Sequence, residues 1–232
     1  MPSSKFTAII LILLFLFLIS CKNDIGGSKD VNPQNIYFDY KIWGEEGKDN
    51  ITCLFRYHFG GQNGISLLLN EPSRVELDGE KIPPDSAKLS GVFYEIQKPL
   101  VDFTGKHTII FTGIDNKQYQ EDFHFQPFAL KTGPPSISAR QDWVFQLEGL
   151  QPLDYMRVIV IDTSFASNGI NEIDTVKNGT LLIQKEKLNN LVNGPVTMVL
   201  FKEEEHPIKN GTKRGGKLFI TYGLKRQFEL KE

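Results

Sequence analysis

The sequence predicts an all-β protein in which two β-sandwiches follow one another behind an N-terminal export segment. Three features of the 232 residues indicate this arrangement. Apolar and polar residues alternate with a period of two through much of the chain, as in half-buried strands. Turn residues interrupt the alternation about every 8–15 residues, which is typical of a sandwich. Two adjacent prolines, Pro134 and Pro135, divide the chain into two similar series.

The N-terminal segment has the organisation of an export signal. Lys5 and the terminal amine form a positive region, and residues 6–19 follow with only Thr7 polar. As a helix this run extends about 21 Å at ~1.5 Å per residue, whereas a spanning helix needs ~20 apolar residues to cross ~30 Å of hydrocarbon. The run is therefore short for a span and suits the apolar core of a signal peptide over residues 1–20.

The end of this run resembles the bacterial lipobox. Leu18-Ile19-Ser20-Cys21 places a large apolar residue and two further residues before a cysteine. In lipoproteins of this kind the cysteine receives a diacylglyceryl group, the signal is removed before it, and the new amine is acylated. The resemblance implies that Cys21 is the lipid attachment site and the first residue of the mature protein. The alternative is an uncleaved anchor helix with an incidental cysteine.

The implied acyl chains are expected to attach the protein to a membrane, because two or more lipid signals give stable anchoring where one does not. Lys22 follows the cysteine, and the absence of an acidic residue there implies, by enteric lipoprotein sorting, the outer membrane of a Gram-negative envelope. The periplasmic and the outer face remain alternatives. Residues 21–34 are polar, contain Gly26-Gly27-Ser28 and predict a flexible tether.

Composition narrows the classes of function. Of the 26 basic residues only Lys5 precedes Cys21, so the mature chain has 25 basic and 28 acidic residues, a net charge of −3. This balance argues against a nucleic-acid-binding protein, which shows a basic excess. Once Cys21 is lipidated, Cys53 has no partner for an intramolecular disulfide, so stability must come from the core.

Residues 35–130 are predicted to form the first sandwich. Residues 36–43 and 51–59 alternate and predict two half-buried strands. Asp78-Gly79 predicts a hairpin, because these residue types tolerate the positive φ angles of a type I′ turn. Further strands are predicted at 92–96, 107–112 and 118–125.

Residues 136–232 are predicted to form the second sandwich. The segment Thr132-Gly133-Pro134-Pro135 separates the two, because prolines remove backbone donors that a central strand needs. Strands are predicted at 143–147, 157–161, 179–183, 196–201, 217–222 and 227–230, with one or two helical turns within 185–191.

The second series also resembles bacterial immunoglobulin-like and fibronectin-type-III-like modules. GTLLIQKEKLNNLVNGPVTMVLFKEEE resembles their strand, short helical turn, Gly-Pro and strand, and GGKLFITYGLKRQFEL resembles their final strand. The resemblance covers residues 178–230 and implies two tandem immunoglobulin-like β-sandwiches without the antibody disulfide. Modules of this kind serve as spacers, adhesive surfaces or ligand platforms.

The residue patterns predict no catalytic residue, no metal site and no cofactor. The four histidines are scattered, whereas a zinc site needs converging ligands, and no Gly-x-Ser-x-Gly turn is present. Cys53 lies on the apolar face of its strand and is predicted to be a core thiol rather than a nucleophile. Glutamate pairs and triplets occur in charged runs, which favours solvated surface.

Tyr37 and Trp43 are the candidate ligand contacts. Both fall on the outward face of the first strand, where an exposed ring can stack on the apolar face of a sugar. The alternative is that this face packs against a second sheet or a neighbouring domain. The segments DSA around Ser86 and DTV around Thr175 resemble an O-glycosylation pattern of some Gram-negative envelopes, which makes both hydroxyls candidate attachment sites.

Together these features predict a lipid-anchored envelope protein that binds rather than catalyses. The first hypothesis is a non-catalytic binding or spacer module for a protein partner. The second is a surface glycan-binding lipoprotein of a nutrient-uptake complex, and the third is an envelope hydrolase. Exposed aromatic rings in one groove favour a glycan, a flat apolar patch of several hundred Å² favours a protein, and convergent carboxylates favour a hydrolase.

Overall fold

The computed structural model describes residues 25–87, 91–164 and 167–232. The predicted signal peptide and Cys21 lie outside these residues. The described strands are β1 (Ile25–Gly27), β2 (Ile36–Glu45), β3 (Asn50–Phe59), β4 (Ile65–Leu68), β5 (Arg74–Leu77), β6 (Glu80–Lys81), β7 (Pro84–Ala87), β8 (Gly91–Pro99), β9 (Gly105–Thr112), β10 (Gln118–Phe125), β11 (Ala129–Thr132), β12 (Ile137–Ser138), β13 (Trp143–Glu148), β14 (Tyr155–Ile161), β15 (Ile170–Thr175), β16 (Thr180–Ile183), β17 (Gly194–Pro207) and β18 (Gly216–Leu230).

Helical structure in the described residues is confined to short turns. Three are 3₁₀ turns, at Ser28–Asp30, Pro33–Asn35 and Leu100–Asp102, and the α-helical turn α1 spans Lys185–Leu188. The all-β fold class predicted from the sequence is therefore confirmed.

The strands form three sheets. The long sheet has eleven strands, and its main path runs β1-β4-β3-β2-β18-β17-β14-β15, with β8 paired to β3, β7 to β8 and β12 to β18. The N-terminal cover sheet has the order β10-β9-β5-β6, and the C-terminal cover sheet has the order β11-β13-β16.

The N-terminal cover sheet packs on one half of the long sheet through aromatic rings. Alternation turns Phe38 of β2 and Tyr57 of β3 toward Phe111 of β9, because successive side chains of a strand point to opposite faces. The Phe111 ring centroid lies 4.7 Å from that of Tyr57 and 5.0 Å from that of Phe38. Cys53 is fully buried in this core, which confirms its assignment as a core thiol.

The C-terminal cover sheet packs on the other half of the long sheet. The buried Trp143 and Phe145 of β13 lie 5.1 Å and 6.3 Å, between ring centroids, from Phe228 of β18. Two sandwiches are therefore present, and both contain part of the same sheet.

The hairpin of β17 and β18 joins the two sandwiches. It pairs continuously from Gly194 opposite Leu230 to Pro207 opposite Lys217. The first half of β18 also pairs in parallel with β2, and Gly216 lies opposite Phe38. The sequence predicts two strands here, at 217–222 and 227–230, but the chain forms one strand across both. The division into residues 35–130 and 136–232 stays a prediction. Strand β18 belongs to the second of these segments but pairs with β2 of the first.

Residues 25–34 pack on the first sandwich, whereas the sequence predicts a flexible tether over 21–34. β1 pairs in parallel with β4, with Ile25 opposite Ser66. Ser28 is buried, and its Oγ accepts a hydrogen bond of 2.8 Å from the backbone N–H of Asn70. Polar composition predicts flexibility, but here backbone pairing and this hydrogen bond satisfy the polar groups.

Candidate functional site

The outward face of β2 carries both predicted ligand contacts. Phe38, Tyr40 and Ile42 are buried in the core, so Tyr37 and Trp43 point to the opposite face of the long sheet. Tyr37 is half-buried, and Trp43 is 40% exposed. The exposure of the indole is inconsistent, at this position, with the alternative in which the face is covered by another sheet.

Strand register places polar side chains beside these rings. Directly opposed residues on neighbouring strands have Cβ atoms about 4.5–5.5 Å apart. We define the outer patch as seven residues that share this face: Tyr37, Asp39 and Trp43 of β2, Arg56 of β3, and Lys217, Phe219 and Thr221 of β18. Arg56 and Lys217 both lie opposite Asp39, and Thr221 lies opposite Trp43.

The outer patch contains three buried polar atoms without a hydrogen-bond partner in the described residues. They are Asp39 Oδ1, Arg56 Nε and Thr221 Oγ1. Asp39 is only 8% exposed. A buried polar atom that is left unpaired costs about 1–3 kcal/mol, so a ligand that supplies donors and acceptors here would relieve a cost that the fold already carries.

The groups around Asp39 differ in their charge at neutral pH. Burial raises the pKa of Tyr37, and the charges of Asp39 and Glu205 add to this effect while Lys217 opposes it, so the phenol stays a donor at neutral pH. Burial lowers the pKa of His58 below 6.5, which leaves this neighbouring imidazole neutral at pH 7. The patch therefore offers one carboxylate, two cations and neutral polar groups to a ligand.

A cleft of about 360 Å³ adjoins Trp43 at the end of β2. The turn between β2 and β3 contributes Lys48 and Asp49, and the neighbouring strands contribute Thr52 and Gln97, which lie opposite each other. Gly47 in this turn has φ of +79°, a conformation that favours glycine. An exposed indole flanked by ammonium, carboxylate and amide groups is the combination that orients a polar ligand with an apolar face.

A second cleft, of about 230 Å³, lies between β10 and the hairpin of β17 and β18. Its acidic residues test the hydrolase hypothesis. Glu121, Asp122 and Glu204 line it together with His124 and His206. Hydrogen bonds from Gln120 and Thr108 lower the pKa of Asp122. Burial raises the pKa of Glu204, but Lys202 and His206 outweigh it, and the net pKa is lowered. A glycosidase acid needs a raised pKa, so Asp122 and Glu204 are poor candidates for that role.

The part of the chain that the structure describes contains no group of three or more His, Cys, Asp or Glu side chains placed to hold a metal ion. Within the same residues, no helix has the length and apolar character needed to cross a membrane.

The remaining predicted residues lie apart from the outer patch. Ser86 is exposed on β7, which pairs with β8 alone among the described strands. Thr175 is half-buried at the end of β15 and lines a cleft of about 430 Å³ with Lys187. Both stay candidate glycosylation sites. Burial raises the pKa of Cys53 to about 12, and nearby Asp78 adds to the shift.

Sequence reasoning missed Asp39, Arg56 and the β18 members of the patch. Asp39 and Arg56 share the outward parity of Tyr37 and Trp43, so alternation alone was sufficient to find them. Lys217 and Thr221 come from the far end of the chain through parallel pairing of β18 with β2. No local pattern indicates that pairing.

No family model matches the chain, and no curated protein matches it. Solved structures are similar to it at low identity, and three of them follow. DIP-gamma IG1+IG2 has 9% identity over 82% of this chain and 97% of that chain, with a TM-score of 0.24. SGBP-B of the Bacteroides ovatus mixed-linkage glucan utilization locus, in complex with a heptasaccharide, has 11% identity over 92% and 67%, with a TM-score of 0.24. Murine CEACAM1b has 9% identity over 84% and 98%, with a TM-score of 0.21. TM-scores this low carry no argument about function.

Proposed function

We propose that the protein is a lipid-anchored envelope binding protein, attached to the outer membrane through Cys21, and that it binds a glycan on the outer patch. The observation that supports a glycan is the position of three unsatisfied buried polar atoms on the same sheet face as the exposed Trp43. This geometry favours the hypothesis of a glycan-binding lipoprotein over that of a binding or spacer module for a protein partner.

A polyhydroxylated ligand fits the chemistry of the outer patch. Asp39 Oδ1 and Arg56 Nε are closed to solvent, so neighbouring side chains must move aside before a sugar hydroxyl can donate to the first and accept from the second. The apolar face of a pyranose stacks on Trp43. Tyr37 and Trp43 lie six residues apart, which is about 20 Å at ~3.3 Å per residue. This spacing favours an oligosaccharide extended along β2 over a single sugar.

Affinity electrophoresis and calorimetry test this proposal. The probes are a β-glucan, a xylan, a starch and a pectin, offered to the chain from residue 22 onward without acyl groups. We expect Trp43→Ala to weaken binding of the retained polysaccharide at least tenfold, whereas the control Tyr155→Ala, which removes a 67% exposed ring from β14, leaves it unchanged. Equal losses in the two variants, or retention of none of the probes, would contradict the proposal.

A protein partner is the second candidate, and the outward face of β14 and β15 favours it. Tyr155, Ile161 and Ile173 are exposed there, and β15 ends the main path of the long sheet. Exposed apolar residues beside an unpaired strand edge suit strand addition by another protein. A photo-crosslinking residue at position 173 in cells should then give a discrete adduct that Ile161→Asp abolishes.

The absence of enzymatic activity stays a prediction. It is supported by the lowered pKa values of Asp122 and Glu204 in the cleft beside β10. Hydrolysis of the retained polysaccharide by the pure protein, lost in Glu204→Gln, would favour the hydrolase hypothesis instead.

A further inference from the structure

We propose that one end of the N-terminal sandwich rests on the lipid headgroups of the membrane that carries the anchor. This end, the anchor end, consists of β1 and the turn between β3 and β4, residues 60–64. The inference depends on the proposed lipid attachment at Cys21 and adds an orientation to it: the long sheet stands on the bilayer with the C-terminal sandwich farthest away.

The first argument is the length of chain between the lipid and the fold. β1 begins at Ile25 and is fixed by pairing with β4, so residues 22–24 alone separate it from Cys21. The chain from Cys21 to Ile25 advances by four residues, which reach at most about 14 Å when fully extended. A flexible tether of fourteen residues would have an r.m.s. span of about 20 Å and a much longer reach. Ile25 is therefore kept within a short distance of the acylated residue.

The second argument is the chemistry of the anchor end. Ile25 is 52% exposed and Ile65 is 44% exposed. Ile25 lies opposite Ser66, the residue after Ile65, so the two isoleucines extend from opposite faces of the sheet at the same end. Residues 59–70, FGGQNGISLLLN, carry no charged side chain. Apolar and uncharged polar groups are suited to the interfacial region of a bilayer.

The opposite end of the same sandwich provides the contrast. The turn between β2 and β3 carries Glu46, Lys48 and Asp49. β3 connects the two turns with ten residues, about 33 Å at ~3.3 Å per residue. The charged turn is thus far from the anchor end. The anchor end also receives the turn between β17 and β18, since the backbone N–H of Phe38 donates to the carbonyl oxygen of Gly215. Its exposed Lys213 and Arg214 are cations that suit anionic headgroups, whereas the opposite turn carries two carboxylates.

The orientation has a consequence for the outer patch. Ile25, Ser66, His58 and Tyr37 form one row of opposed residues across β1, β4, β3 and β2. Trp43 lies six residues farther along β2, beside the charged turn. β18 then continues past its last pairing with β2, at Gly223, for seven more residues into the C-terminal sandwich. The Tyr37 end of the patch therefore lies near the lipid and the Trp43 end away from it.

The test uses the full lipidated protein in vesicles of phosphatidylethanolamine and phosphatidylglycerol that contain brominated phosphatidylcholine. Asn63→Cys introduces a reactive thiol in the anchor-end turn, because Cys21 is blocked by its thioether and Cys53 is buried. Lys48→Cys is the matched control in the charged turn, and both positions are exposed. Each thiol is labelled with an environment-sensitive fluorophore after the circular dichroism spectrum has been checked against that of the unmodified protein.

We expect bromolipid to quench the label at position 63 several-fold more than the label at position 48, and Ile25→Ser with Ile65→Ser to reduce that difference. Similar quenching at both positions, whether strong or absent, would overturn the orientation. The mass of the N-terminal peptide is measured on the same samples. An acylated peptide with no difference in quenching rejects the orientation but leaves the attachment intact, whereas an unacylated Cys21 rejects the attachment and, with it, the orientation.

Discussion

Asp39 on β2 and Arg56 on β3 are directly opposed, yet each keeps a buried polar atom without a hydrogen-bond partner in the described structure. A buried carboxylate without partners destabilises a fold, because nothing offsets the cost of its desolvation. Strained or unsatisfied groups of this kind are concentrated at functional sites. The relationship between these two residues therefore favours binding over structural support.

Asp39→Asn separates the two roles. Because Asp39 Oδ1 accepts no hydrogen bond from the described residues, we expect the free energy of unfolding to change by less than about 1 kcal/mol. We expect polysaccharide binding to weaken at least tenfold, which is about 1.4 kcal/mol. Urea unfolding and calorimetry measure the two quantities.

Asp162→Asn is the control for that substitution. The Asp162 carboxylate accepts hydrogen bonds from the backbone N–H groups of Ser164 at 2.8 Å and Val192 at 2.7 Å. We expect this variant to lose about 1–3 kcal/mol of stability and to keep its binding. If Asp39→Asn were the more destabilising of the two, Asp39 would be structural and the binding proposal would lose its main support.

Cys53 should be unreactive in the native protein. Burial raises the pKa of its thiol to about 12, so almost no thiolate is present at pH 7. We expect a chromogenic disulfide reagent to react only after denaturant is added. Cys53→Ala should cost about 1 kcal/mol, the penalty of a small cavity, while Cys53→Asp should prevent folding of the N-terminal sandwich. Rapid labelling without denaturant would show that the core opens around this strand.

The sequence predicted the fold class and the faces of individual strands, because both follow from alternation. Residues 36–43 and 51–59 lie in β2 and β3, and the apolar face predicted there is buried except for Phe59, which is partly buried. The continuity of β18 was not predictable in the same way. Gly223 interrupts the apolar pattern and is typical of a break between strands. In the structure it lies opposite Phe201, and the Phe201 ring is within 2.8 Å of the position that a Cβ on residue 223 would occupy.

The candidate site was predicted in part for the same reason. Tyr37 and Trp43 follow from the parity of one strand, whereas Lys217 and Thr221 depend on a pairing across most of the chain length. The sequence also gave no sign that residues 25–34 pack on the sandwich, since short polar segments with glycine are equally compatible with a loop and with an edge strand.

Glu204 should make stability depend on pH. Its pKa is raised by burial but lowered on balance by Lys202, whose Nζ lies 2.9 Å away, and by His206. Since the folded pKa is below the ordinary value of 4.5, the stabilisation is present above pH 4.5 and is lost as pH falls through the folded pKa. We expect Glu204→Gln to lower the Tm at pH 7 and to differ less from the unmodified protein near pH 3. An equal difference at both pH values would assign the effect to packing, and the exposed Glu95→Gln is the control.

The hairpin of β17 and β18 should make the two predicted domains depend on each other. A fragment of residues 34–130 lacks β18, which leaves one edge of β2 without its partner, and a fragment of residues 133–232 leaves Gly216–Gly223 without β2. The loop before β18 adds further contacts, since Glu121 Oε2 accepts a hydrogen bond of 2.9 Å from the backbone N–H of Lys209.

Unpaired strand edges favour association with another chain. We therefore expect the two fragments, expressed separately, to have β-type circular dichroism and to form a one-to-one complex when mixed, with a higher Tm than either alone. Size-exclusion chromatography and thermal unfolding measure this. Two stable fragments that do not bind each other would show that the domain boundary holds and that the pairing of β18 with β2 adds little.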